Sequence, residues 1–121
     1  MQGTDLPELP AERSFTVSSP GLVIVSTPNP AGTEMALIGE LDQATRPTFD
    51  YAVNQALRVG PPNLHLDLSE LEFLAVTGAR AFDEAHGRCQ RSGGGLVLVN
   101  PARAVRRLLD LFGMTMLMIE R

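Results

Sequence analysis

Leu64–Phe82 reads LHLDLSELEFLAVTGARAF, and its two halves follow different periods. Leu64, Leu66 and Leu68 alternate with His65 and Asp67, the period of a half-buried strand. From Thr77-Gly78 onward Ala79, Phe82 and Cys89 fall on one helical face, which predicts a helix from about Gly78 to Arg91. A strand that runs through a short loop into a helix is the unit of parallel pairing with right-handed crossovers. The junction also places the Thr77 hydroxyl at a helix N-terminus. There, unpaired N–H groups and the helix dipole favour negative charge, and a hydroxyl also serves as an N-cap.

The pattern extends in both directions. Downstream, Gly93-Gly94-Gly95 leads into Leu96–Val99, a continuous apolar run suited to a strand covered on both faces. Asn100-Pro101 reads as the N-cap and first residue of a third helix, with Val105, Leu108, Leu109 and Phe112 as its buried stripe and Gly113 as its C-terminal cap. Met116–Ile119 reads as a last short strand. Met114, Met116 and Met118 read as core and edge filling, because Met adapts to irregular gaps. On the second helix Glu84 and Arg88 are spaced for an i,i+4 pair.

Upstream, Phe49, Ala52, Val53, Ala56 and Leu57 form one buried face of a first helix. Pro47 is tolerated only in a first turn, so this helix starts near Thr45 or Arg46. Gly60-Pro61-Pro62 ends it. Leu22–Val25 and Met35–Ile38 read as an antiparallel hairpin, joined by a loose loop over Thr27–Gly32. Residues 1–13, with Pro7 and Pro10 in polar company, read as a flexible arm, and 14–121 as one domain. The fold class is therefore α/β: a mixed sheet with an antiparallel N-terminal hairpin, then alternating helices and mostly parallel strands.

Composition removes several classes of function. Ten Lys+Arg against fourteen Asp+Glu give a net charge of −4, with no basic cluster to follow a phosphate backbone, so nucleic acid is not an expected partner. No apolar run approaches the ~20 residues of a membrane helix, so no membrane insertion is expected. The N-terminus lacks a signal-peptide pattern and Cys89 has no disulfide partner, which points to the cytoplasm. His65, His86 and Cys89 alone make no metal site, and no cofactor is expected. Gly93-Gly94-Gly95 lacks the Lys of a phosphate-binding loop, and no nucleophile–base pair is recognisable, so no enzyme activity is expected.

Two motifs carry a family resemblance that spans about Leu22 to Ile119. One is Gly39-Glu40-Leu41-Asp42 at the end of the hairpin. The other is Leu66-Asp67-Leu68-Ser69, followed by Phe73-Leu74 and Thr77-Gly78. Together, in this strand–helix order, they resemble the STAS domain family, of the anti-sigma factor antagonist type. The resemblance implies a partner switch in bacterial transcription regulation. The unmodified domain binds an anti-sigma factor that is also a serine kinase, and phosphorylation of the loop hydroxyl breaks the complex. Thr77 takes the position of the phosphorylated hydroxyl and Gly78 matches the pattern. Ala75 stands where the family places an Asp, and Val76 where it places a Ser.

The resemblance implies partner contacts at Glu40, Asp42, Ala75, Val76, Thr77, Gly78 and Arg80. For Thr77 the other reading is a cap that only satisfies an orphan N–H. For Asp42 it is capping and dipole compensation, and for Val76 it is a side chain tucked against the second helix. Ser69 reads as a local turn bond at the strand end, and Asp67 as a satisfied polar group there. Arg103, Arg106 and Arg107 form a small basic face. Some stand-alone STAS domains dock instead on the ATPase of an ABC transporter, and these share the Thr-Gly pair. Family members usually add a helix after the last strand; without one, a sheet face is less covered and invites a homodimer or another partner.

Overall fold

The computed structural model describes residues 14–121; the stretch 1–13, read as an arm, lies outside the described residues. Along the chain come β1 (Phe15–Ser19), β2 (Leu22–Asn29), β3 (Gly32–Leu41), α1 (Arg46–Val59), β4 (Asn63–Asp67) and β5 (Leu71–Leu74). Then follow α2 (Val76–Arg91), β6 (Gly95–Val99), α3 (Arg103–Leu111), a 3-10 turn (Thr115–Leu117) and β7 (Met118–Ile119). The strands form one sheet in the order β1-β2-β3-β4-β6-β7, and β5 pairs with β3 off this path. The pairs β1–β2 and β2–β3 are antiparallel, and β3–β4, β3–β5, β4–β6 and β6–β7 are parallel. The expected mixed sheet, antiparallel at its start and parallel after the first helix, is the observed one.

Alternation decides which side is buried. Leu22 and Ile24 of β2, Met35 and Leu37 of β3, Leu64 and Leu66 of β4, and Leu96 and Leu98 of β6 are all buried. Helix α1 adds Phe49, Ala52, Val53 and Ala56 to this core, and α2 adds Ala79, Phe82, Ala85 and Cys89. Phe49 and Phe82 meet edge-to-face with ring centroids 5.4 Å apart, which locks the two helices together. Each buried Leu, Ile, Val, Phe or Met side chain among them contributes about 1.5–3 kcal/mol relative to exposure. The intervening Val23, Val25, Ala36, Ile38 and Val97 stay half-buried.

Several local expectations are corrected. The hairpin loop is tight, not loose: strands run to Asn29 and from Gly32, and Asn29 Oδ1 accepts the N–H groups of Ala31 and Gly32. Helix α3 starts at Arg103 with Ala102 at its N-cap, because Asn100 adopts a φ of 54° and its Oδ1 accepts the Arg121 N–H at 2.9 Å. The last strand keeps only Met118–Ile119, since Thr115–Leu117 coil into the 3-10 turn. Met114 is core, but Met116 is 92% exposed and Phe112 also reaches solvent. Glu84 and Arg88 do not pair with each other: Glu84 binds Arg46 at the start of α1, and Arg88 binds Asn54 at 2.6 Å. The nearby helix captures both charges.

Candidate functional site

The motif Gly39-Glu40-Leu41-Asp42 closes β3 and turns it toward α1. Gly39 has a φ of 117°, and a Cβ there would lie 2.3 Å from the Gly21 carbonyl oxygen, so only glycine fits. The pairing of β3 with β5 slips register between Gly39 and Glu40, which leaves Glu40 exposed and Leu41 buried. Beyond the strand, the buried Thr45 hydroxyl accepts the Asp42 N–H at 3.0 Å and donates to the Glu40 carbonyl at 2.9 Å. Asp42 Oδ1 accepts the Thr45 N–H at 3.0 Å. Thr45 occupies the N-cap position without a side-chain cap bond, because its hydroxyl is turned back into this knot. Asp42 therefore shapes the entry to α1, in line with the capping reading.

The second motif arrives from β4 and β5. Asp67 Oδ1 accepts both the N–H and the hydroxyl of Ser69, the local turn bond expected at the strand end. Strand β5 was not legible in the sequence. Its burial runs inward at Leu71 and Leu74 and outward at Glu72 and Phe73, so it lacks the period-two signal of a strand. Phe73, a residue of the second motif, is 50% exposed beside the loop.

Helix α2 begins at Val76, two residues earlier than its apolar period implies. Ala75, in an extended conformation, is the N-cap, and it makes no side-chain cap bond. Thr77 is therefore the second residue of the helix rather than its cap. Gly78 and Ala79 donate to the Ala75 carbonyl. Among the described residues, no protein acceptor meets the N–H groups of Val76 and Thr77, and the half-buried Thr77 hydroxyl makes no hydrogen bond. Val76 is 46% exposed, so it does not tuck inward. Arg80, one turn on, is exposed and has no ion pair among the described residues.

The two motifs meet directly. The Ala75 N–H donates to the Leu41 carbonyl at 2.9 Å. Gly78 is buried, and a Cβ on it would lie 2.5 Å from Leu74 Cδ1 and 3.0 Å from the Leu41 carbonyl oxygen. Its role is close approach of α2 to β3 and β5, a signal that the Thr-Gly pair carried but that its family reading alone did not explain. Glu40, Asp42, Ala75, Val76, Thr77 and Gly78 thus lie around one sheet end, with Phe73 added and Arg80 a turn away. Such a surface offers an apolar tip, free amides and an acidic edge. No group of three metal-ligating side chains occurs among the described residues.

Comparison with known proteins agrees with this architecture. The family described as Mlab, STAS domain, matches residues 27–120. No curated protein matches the chain. Among solved structures, an anti-sigma factor antagonist from Mycobacterium paratuberculosis superposes with a TM-score of 0.72 at 22% identity, covering 86% of this chain and 88% of that one. The anti-sigma factor antagonist SpoIIAA in its unphosphorylated form gives a TM-score of 0.70 at 16% identity, covering 90% and 88%. The Bacillus cell fate determinant SpoIIAA in its phosphorylated form gives 0.58 at 16% identity, covering 90% and 91%.

Proposed function

The chain belongs to the STAS domain family, and from that premise we propose that it is a protein-binding regulator, an anti-sigma factor antagonist. It docks an anti-sigma factor of the serine kinase type on the Thr77 loop, and phosphorylation of Thr77 releases that partner. The observation that carries this reading is the Thr77 hydroxyl in the first turn of α2, unbonded among the described residues, beside two amides that meet no acceptor among them and the exposed Phe73 and Val76. The similarity to anti-sigma factor antagonists, one of them solved in both phosphorylation states, supports it.

The physical switch follows from charge. A phosphate on Thr77 brings about −1.5 to −2 charges to a helix N-terminus that tolerates them. The cost falls on the complex, whose buried contact must then desolvate the phosphate beside Glu40. A penalty of about 3 kcal/mol lowers affinity roughly a hundredfold. No catalysis or cofactor enters this reading, and it sets the protein in the cytoplasm. Among the described residues no helix is long and apolar enough to cross a membrane.

Incubation with the purified kinase and ATP tests the switch. The reading expects one phosphate, mapped to Thr77 by mass spectrometry, and loss of the complex on gel filtration. An unmodified Thr77 under conditions where the kinase is active overturns it.

A second reading is favoured by one observation. The tip at Ala75-Val76 carries no carboxylate, and Val76 is exposed. A bare apolar tip suits standing association better than reversible, charge-controlled association. In that case the partner is the ATPase of an ABC transporter and Thr77 is an unmodified contact.

A further inference from the structure

The corner formed by α3 and the turn after it is unlike the rest of the surface. Val105 and Leu109 point into the core. On the opposite side of the helix, Arg103, Arg107 and Leu111 succeed one another at four-residue spacing and form an outward stripe. Leu111 is 78% exposed, and in the turn that follows the helix Met116 is 92% exposed. Among the described residues neither Arg103 nor Arg107 has an acidic partner, whereas Arg106 is bound to Glu120 and Arg121 to Glu34. Asp110 is the remaining acid of the corner, and it accepts the Thr115 hydroxyl.

We propose that this corner docks the protein peripherally on an anionic phospholipid surface. Leu111 and Met116 enter the headgroup–acyl boundary, and Arg103 and Arg107 meet lipid phosphates.

Charge supports this occupant. Arg103, Arg106, Arg107 and Arg121 against Asp110 and Glu120 give residues 103–121 a net +2, within a chain of net −4. The remainder thus carries −6. An anionic surface attracts this corner and repels the remainder, so attraction also sets orientation. Exposure supports it as well. Leu111 and Met116 are the two most exposed large apolar side chains among the described residues, and a fluid bilayer accommodates exposed apolar side chains without a matching recess. The docking is independent of Thr77, which lies on a different helix.

Vesicle co-sedimentation of the full chain tests the proposal. One set of vesicles is pure phosphatidylcholine, and the other holds equal parts phosphatidylglycerol and phosphatidylcholine. The expected result is binding to the anionic vesicles alone, weakened by salt. The double variant Arg103→Gln/Arg107→Gln lowers this binding about thirtyfold, and Leu111→Ser/Met116→Ser also lowers it, while both melt as the parent does. These positions are exposed, so folding is preserved. No sedimentation with anionic vesicles at low salt overturns the proposal and leaves the corner to a protein partner. Binding that neither variant weakens also overturns it. Light scattering in lipid-free buffer that shows a dimer, abolished by Leu111→Ser/Met116→Ser, assigns the corner to a second copy instead.

Discussion

The Ala75 N–H donates to the Leu41 carbonyl at 2.9 Å, and this bond joins the end of β3 to the start of α2. Thr77 follows as the second residue of that helix, and among the described residues its hydroxyl makes no hydrogen bond. The loop is thereby fixed by its backbone while its side chains remain free. A docking surface benefits from that division, because less ordering is required on association.

Gly78→Ala should destabilise the fold. The new Cβ meets Leu74 Cδ1 at 2.5 Å and the Leu41 carbonyl oxygen at 3.0 Å, and the carbonyl cannot move without breaking the bond to Ala75. Overpacking of this kind costs about 1–3 kcal/mol. Urea denaturation of the variant and the parent measures it.

Thr45 and Thr77 should behave oppositely on truncation. The Thr45 hydroxyl is buried and serves both Asp42 and Glu40, so Thr45→Val leaves those groups unsatisfied at about 1–3 kcal/mol. Among the described residues the Thr77 hydroxyl has no partner, so Thr77→Ala should stay within about 0.5 kcal/mol. Thermal melts of the two variants separate a structural hydroxyl from a free one.

Cys89 is fully buried, and burial pushes its thiol above its ordinary value of 9.0 while Arg88 opposes the shift. The native protein should resist alkylation at neutral pH and react at once in denaturant. The raised value favours the neutral thiol in the folded state. Its contribution to stability is full below the ordinary value and is lost as pH rises through the folded one. Urea midpoints measured from neutral to alkaline pH should fall, and Cys89→Ala should flatten that fall.

Much of this was legible in the sequence because the signals were local. Alternating leucines in Leu64–Leu68, the 3.6-residue period of Phe49–Leu57 and the Gly-Pro-Pro stop each report one element. What escaped depended on partners distant along the chain. Strand β5 exists through pairing with β3 across a register slip, and its four residues do not alternate. Glu84 and Arg88 had correct helical spacing but found Arg46 and Asn54 on α1. Met116 lies in an apolar run, yet the 3-10 turn rotates it outward. At the loop, Thr77-Gly78 marked the start of a helix, while the N-cap fell to Ala75, which no capping preference indicates.

Val76→Glu should leave the fold intact, since the side chain is already largely in solvent, and should cut partner affinity at least about tenfold by adding charge to the apolar tip. Circular dichroism and a binding titration with the recovered partner provide the two readouts.

The central claim is that the Thr77 loop receives an anti-sigma factor kinase. Affinity capture from the source cells, with the parent, Thr77→Glu and Val76→Glu proteins as parallel baits and identification by mass spectrometry, tests it most directly. The account predicts that the parent retains a serine kinase-type anti-sigma factor and that both variants lose it. Retention of a transporter ATPase in its place, or of the kinase equally by all three baits, would contradict the account.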